Sequence, residues 1–377
     1  MKPPIHDFVN SLSLAKKDDD LTHQLVTHYK TSDLSPPDKS PLAITTVLVM
    51  TWVIQQARSM YRPAVQEKLV ATISSSAIPN ALAVWSRSGR DWIVLSEGLM
   101  ELLRDGMEAI ATRFEVAFPD LIETDLMQRL LSEKPLSGGF KTSLSSFLYF
   151  AAVAFVTGHE AGHHIAGHQS QYPKRAHAEH SENDAIDWDG AWLIGQALER
   201  DADLVGLTLS RIAMTQLLSK LWTVTEAENL SSHEQQIFQR VLAALISTGA
   251  LTSAVLFKPE NFDWVDVPGS SHPPAVARLV TLALSISLAI KKNFRGLDTP
   301  YRRRIKVMSL EVAVGATIAP GSNADRIQQE RITRGGEPAA IRATGIRKAL
   351  NDPTFRKYLA QLDAKIKEIR PSLKPRI

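Results

Sequence analysis

The chain predicts an α+β fold, mostly helical, with one small antiparallel sheet. Three observations carry this. β-Branched runs punctuated by turn residues are confined to the stretch between Lys68 and Leu103. Most of the remainder is rich in Ala, Leu, Glu, Gln and Lys at helical spacing. The 377 residues, 44% hydrophobic and 22% charged, are enough for one large domain or two ordinary ones, each with a core.

Residues 1–41 are polar and carry Ser35-Pro36-Pro37 and Pro41, so they are expected to form a flexible N-terminal arm. The opening "MKPPIHDFVNSLSLAKKDDD" has no continuous apolar stretch and no small-residue cleavage site, so no secretory signal is expected and a cytoplasmic location is the default. A body over 42–290 follows. "LAITTVLVMTWVIQQA" (42–57) reads as a buried helix. "LVATISS", "ALAVWSR" and "DWIVLS" read as strands, with Ser88-Gly89 as a hairpin turn between the last two. Helices are expected at 193–222, 232–257 and 274–292. The run Val241–Phe257 is 17 residues without a charge, at the lower edge of membrane-spanning length. Its Ser247, Thr248, Gly249, Thr252 and Ser253 favour a buried helix, so stable membrane insertion is not expected.

The net charge of +3 hides an asymmetry. From Lys291 to Ile377 there are 20 Lys+Arg against 8 Asp+Glu, while the residues before them carry 23 basic and 32 acidic side chains. The segment 291–377 is therefore a basic helical C-terminal region. It is either a face packed on the acidic body or a binder of polyanions; nucleic acid is the less favoured partner. Cysteine is absent, which excludes disulfides, thiolate metal sites and cysteine nucleophiles. Any metal must be held by His, Asp or Glu.

Four of the eleven histidines fall in "VTGHEAGHHIAGH" (156–168), directly after the apolar run Leu144–Val156. His159 and His163 are four apart, about 40° apart around a helix, so both imidazoles can aim at one point. Glu160 lies one position round, where a carboxylate can take a proton from an attacking water. The alternative is a solvated helix face. Gly158 and Gly162 each cost a helix about 1 kcal/mol relative to alanine, which suggests that a substrate or an opposing helix approaches the backbone there. His164 and His168 are also four apart, on a neighbouring face without a suitable carboxylate, and read as surface or second-layer residues. A zinc site of this kind needs a third protein ligand. Glu199 in "ALERDADLVG" is the best candidate, because it lies on a helix and Asp203, four residues on, can accept the free N–H of a ligand histidine. The competing reading is a set of acids complementing a helix dipole. His177, His180, Asp184 and Asp187 in the intervening loop are rival ligands.

His159-Glu160-Ala161-Gly162-His163 followed by Glu199-Arg200-Asp201-Ala202-Asp203 resembles the gluzincin zinc metallopeptidases, in particular the HtpX and CaaX-prenyl-protease type. Pro79-Asn80-Ala81-Leu82-Ala83, the strand Trp92–Ser96 running into Glu97-Gly98-Leu99, and Ser271-His272-Pro273-Pro274 with Arg278 extend the likeness over about residues 68–285, in the family's order. Lit-type phage-exclusion peptidases are a second resemblance. The likeness implies a zincin-like fold with an HExxH active-site helix over 42–290. It implies Zn2+ on His159, His163 and Glu199, Glu160 as general base, Asp203 in the second layer, and His272 as a donor to the oxyanion. A capping or core role before the Pro-Pro turn is the rival reading of His272. The strand near Asn80–Val84 is expected either to pair with an extended peptide through its edge or simply to pack in the sheet.

The expected function is zinc-dependent endoproteolysis of intracellular protein or peptide substrates. A non-hydrolytic zinc-binding sensor or regulatory protein and a polyanion-binding module are the alternatives. The sequence leaves the oligomeric state open.

Overall fold

The computed structural model describes residues 4–36, 38–132, 143–171, 177–178, 191–221, 231–257, 275–294, 297–315 and 351–373. In chain order the elements are α1 (Pro4–Ala15), α2 (Asp19–Tyr29), α3 (Pro41–Met60), β1 (Leu69–Ser74), β2 (Ala81–Trp85), β3 (Asp91–Ser96), α4 (Glu97–Ala117), α5 (Pro119–Ile122) and α6 (Asp125–Ser132). They continue with α7 (Leu144–Ile165), β4 (His177–Ala178), α8 (Ala191–Leu221), α9 (Ser232–Phe257), α10 (Ala275–Asn293), α11 (Thr299–Gly315) and α12 (Pro353–Ile369). The α+β class and the mostly helical character agree with the sequence reading.

The sheet is mixed, not antiparallel. Its order is β1-β3-β2-β4, with β2 antiparallel to β3 and β1 parallel to β3. The hairpin between β2 and β3 turns at Gly89, whose φ of 82° is in the left-handed region that suits glycine. The β1–β2 connection instead crosses the C-terminal end of β3. It is tied there by the Gly98 N–H to the Ser76 carbonyl (2.9 Å) and by the Asn80 N–H to Ser96 Oγ (3.0 Å). β1 therefore lands on the far edge of β3, running the same way. Gly98 is obligatory at the crossing, since a Cβ there would lie 2.1 Å from the Ala77 carbonyl oxygen.

Side chains alternate between two cores, as the two-residue period of a strand requires. Leu69, Ala71, Ile73, Ala81, Ile93 and Leu95 face the main core. Val70, Leu82, Val84, Trp92 and Val94 face a smaller one completed by Ala15, Leu21, Leu25 and Tyr29. Both faces are covered, which is why the strands read as continuous apolar runs.

That second core overturns the expectation of a flexible N-terminal arm: within residues 4–36, α1 packs on α3 and β1, and α2 lays its apolar stripe over the outer face of the sheet. Asp18 fastens them. It caps α2 by accepting from the Leu21 N–H (3.1 Å), and it also accepts from Trp92 Nε1 (2.9 Å), Ser86 Oγ (2.7 Å) and Ser88 Oγ (2.7 Å). Tyr29 OH donates to the Asn80 carbonyl (3.0 Å).

The described part of the basic C-terminal region is packed on the body. α11 lies against α9, α4 and α10, and α12 against α8. Tyr301, Ile305, Val312, Phe355, Tyr358 and Leu362 are buried. Among the described residues one helix, Ser232–Leu256, is long and apolar enough to cross a membrane, and 89% of its apolar window is buried inside the protein.

α7 is the centre of the molecule. Ser143 caps it, its residues are apolar nearly all round, and α3, α4, α8, α9 and the β2–β3 edge enclose it. Its most extensive contact is with α8. Gly158 and Gly162, one turn apart, meet Gly206 and Ala202, also one turn apart. A Cβ on Gly158 would lie 3.0 Å from the Gly206 carbonyl oxygen, and one on Gly162 would lie 3.0 Å from Ala202 Cα. The expected close approach is thus that of an opposing helix.

Two predictions follow from this packing. Gly206→Ala places a Cβ 2.9 Å from the backbone nitrogen of His159. The overpacking cost of about 1–3 kcal/mol should outweigh the gain of up to about 1 kcal/mol in helix propensity, so the urea midpoint should fall with an unchanged slope. The second concerns Asp18. Burial alone would raise its pKa, but hydrogen bonds from Ser88, Trp92, Ser86 and Leu21 together hold the carboxyl below its ordinary value. A depressed carboxylate stabilises the fold above the unfolded-state pKa of about 3.9 and loses that contribution as pH falls through the folded value. Asp18→Ala should cost roughly 2–3 kcal/mol at neutral pH. The gap to wild type in denaturant titrations should narrow below about pH 4.

Candidate metal centre

α7 presents His159 and His163 on successive turns, and α8 presents Glu199 and Asp203 on successive turns of the facing helix. The small-residue contact just described brings the two pairs together. His159 Nε2 and His163 Nε2 are 3.2 Å apart. Each is 3.3 Å from one oxygen of the Glu199 carboxylate. The side chains of all three are at most 1% exposed, and their donor atoms lie within 4.8 Å of one another, a group that could hold a metal ion.

The spacing itself tests the fit. A tetrahedral ion with bonds of about 2.0–2.1 Å to nitrogen and oxygen sets neighbouring donors about 3.3–3.4 Å apart. The 3.2 Å between the two imidazole nitrogens, and the 3.3 Å from His159 Nε2 to Glu199 Oε2 and from His163 Nε2 to Glu199 Oε1, are each near that edge, with the two rings facing different oxygens of the carboxylate.

Behind each imidazole stands a further group. His159 Nδ1 is 2.9 Å from Asp203 Oδ1, which also accepts from Arg278 Nη2 at 3.1 Å. His163 Nδ1 is 2.9 Å from His168 Nδ1, and His168 Nε2 is 3.4 Å from Asp201 Oδ2. Asp201 Oδ1 accepts from Arg370 Nη2 at 2.7 Å. Burial would raise the pKa of Asp201, but the contacts with His168 and Arg370 bring it below the ordinary value. Glu160 is fully buried next to His159 on α7.

His164 points elsewhere. Its Nε2 donates to the Trp92 carbonyl (2.9 Å), its Nδ1 lies 3.8 Å from Asp91 Oδ1, and its ring meets that of Trp85 edge-on at 5.1 Å. It ties α7 to the sheet.

Of the residues singled out in the sequence, His159, His163, Glu199 and Asp203 come together. His272 lies outside the described residues, as do the rival ligands His180, Asp184 and Asp187. The backbone of His177 is described: His177 and Ala178 pair with Ala83 and Leu82 on the edge of β2. That pairing occupies the β2 edge at Leu82 and Ala83, which favours sheet packing over peptide pairing, the two readings left open for Asn80–Val84. His168, Asp201 and Arg370 were not foreseen as a unit behind His163. Gly167 held the clue to His168: its φ of 75° ends α7 in a left-handed turn and folds the next residue back onto the helix.

Comparison of the chain with models of protein families, with curated proteins and with solved structures gave no match.

If the three convergent donors are the ligands, Glu199→Ala should lose most bound metal. Asp203→Ala should weaken metal binding by about 10- to 100-fold, the usual cost of removing an orienting group. His180→Ala should change neither. Metal titration of the purified variants reads all three, and retention of metal by Glu199→Ala would reassign the ligand set.

Proposed function

We propose that this chain is a zinc-dependent metallopeptidase of the gluzincin class, cytoplasmic, acting on protein or peptide substrates. The observation that carries the reading is the buried convergence of His159 Nε2, His163 Nε2 and the Glu199 carboxylate, each nitrogen 3.3 Å from one of its two oxygens, with Glu160 buried next to His159 on α7. The resemblance of "HEAGH" and "ERDAD" to the gluzincin motifs, and with it a zincin-like fold, supports the same conclusion. The membrane-embedded members of that class carry spanning helices; here the one helix among the described residues that is apolar enough is a core element, which favours a non-embedded relative.

Zinc at this site would act as a Lewis acid on the scissile carbonyl and lower the pKa of water to about 7. The protein's own part follows from its geometry. Glu160 accepts a proton from the attacking water and returns it to the leaving amine nitrogen, the role open to a carboxylate beside the ligand pair that is not itself a ligand. Asp203, backed by Arg278, holds the His159 ring with its Nδ1 proton directed away from the ligand point. The buried surroundings strengthen each of these interactions by excluding bulk water. His272 remains the candidate for a further oxyanion donor.

The depth of the site favours one second reading, a non-hydrolytic protein that holds zinc for structure or sensing, because the side chains of all three ligands are at most 1% exposed.

One comparison tests both. Metal analysis should find about one zinc per chain, and a proteome-wide cleavage screen should detect hydrolysis. Glu160→Gln should keep the zinc and lose activity by at least about 10²-fold, the lower range for a general base. Hydrolysis unchanged in that variant would sink the peptidase reading. Zinc without any cleavage by the wild type would leave the second.

A further inference from the structure

The two ligand histidines are not held alike. His159 meets a carboxylate directly, whereas His163 meets a second imidazole. We propose that His168 and Asp201 are positioning residues for His163, and that Arg370 at the end of α12 completes the set, making the C-terminal helix a working part of the metal centre. This rests on the metal-site reading above.

The argument is one of hydrogen-bond direction. A neutral imidazole has one N–H donor and one acceptor nitrogen. For His163 to offer Nε2 as a ligand, its proton must sit on Nδ1, and that N–H needs an acceptor. The group facing it is His168 Nδ1, at 2.9 Å. His168 can accept there only if its own proton is on Nε2, and that N–H faces Asp201 Oδ2 at 3.4 Å. A carboxylate can only accept, so Asp201 sets the direction of the whole chain. The opposite arrangement, with His168 donating to His163, would leave the N–H of His163 aimed at the ligand point and the Asp201 oxygen facing a lone pair. The His163–His168–Asp201 series therefore selects the one tautomer of His163 that can bind metal.

Asp201 needs a counter-charge, since it is 7% exposed. Arg370 provides it at 2.7 Å. The helix that carries Arg370 is fastened on both sides of the site. Tyr358 hydrogen-bonds Gln196 and Asp363 pairs with Arg200, one turn before Glu199 and immediately after it on α8. Ser372 accepts from Gln171 Nε2 at 3.0 Å, three residues beyond His168. α12 thus spans the backs of the two segments whose relative position defines the ligand point.

The test uses the full chain and Co2+ as probe, reading its dissociation constant and visible absorption band, with thermal unfolding of the metal-free protein as a control. His168→Phe removes the acceptor at similar volume and should weaken Co2+ binding by about 10- to 100-fold and alter the band. His168→Asn restores a carbonyl acceptor and should recover most of the affinity. Arg370→Ala, at an exposed arginine, should weaken binding by about 2- to 5-fold with only a small fall in the unfolding temperature of the metal-free protein. Wild-type affinity and an unchanged band in His168→Phe would overturn the positioning role. If that variant does not fold, an affinity unchanged in Arg370→Ala and failure of His168→Asn to bind would overturn it instead. Absence of Co2+ and Zn2+ binding by the wild type would remove the metal site itself, a result separable from either.

Discussion

The closeness of α7 to α8 governs the rest of this molecule. Imidazoles on one helix and a carboxylate on another can share an ion only if the two backbones are held to within about 0.5 Å of a fixed separation. Gly158 and Gly162 against Gly206 and Ala202 achieve this by removing side chains from the contact, so that backbone touches backbone. The three helical glycines forgo about 1 kcal/mol each of helix preference. Burial of α7 on every side offsets that loss, because helical stability in a protein comes mainly from tertiary packing. The surrounding shell of α3, α4, α9 and the sheet therefore serves the site, although none of these elements supplies a ligand.

Closeness of this kind concentrates charge. Glu199, Asp201 and Asp203 are buried within five residues of α8 and Glu160 is buried on the facing α7, with Arg278 on Asp203 and Arg370 on Asp201. With the carboxylates ionised and the imidazoles neutral, the cluster lacks two positive charges, the charge of one divalent cation. Carboxylates are costly to bury without partners. A divalent cation would supply that charge at the point where the three donors converge.

What the sequence made legible was whatever a short spacing encodes. His159 to His163 and Glu199 to Asp203 are both four-residue intervals, and a helix turns four-residue intervals into shared faces. Gly158 and Gly162 announced a close neighbour because glycine inside a long apolar helix has few other uses. The misses share a cause: each depends on a partner remote in the chain. The parallel pairing of β1 with β3 is set by a crossing loop, and a strand's own residues do not reveal which edge it joins. The polar, proline-bearing composition of residues 1–41 hid two amphipathic helices, because their apolar residues form a narrow stripe that matters only once the outer face of the sheet is known to need cover. The triplet Asp18-Asp19-Asp20 before Leu21 was a readable cap with acids in the first helical turn. His168 was visible, but its partners Asp201 and Arg370 lie 33 and 202 residues further along, beyond what a periodicity can report.

The charge asymmetry of the chain also acquires a structural meaning. A basic C-terminal segment following an acidic body suggested two parts with separate tasks, or two parts that face each other. The described contacts are of the second kind: Arg304 reaches Asp120 at 2.7 Å, and Arg370 reaches Asp201 at the same distance. The first is a half-exposed pair, worth little on its own. In the second the arginine is more exposed still, but its partner Asp201 is buried beside His168, so on the proposal above removal of the arginine would be felt in the candidate metal centre and not only at the surface. A tail built as an independent polyanion binder would have no reason to place an arginine there. The +12 charge of residues 291–377 is in this sense partly the complement of acids on the body, one of which, Asp201, lies beside the candidate metal centre.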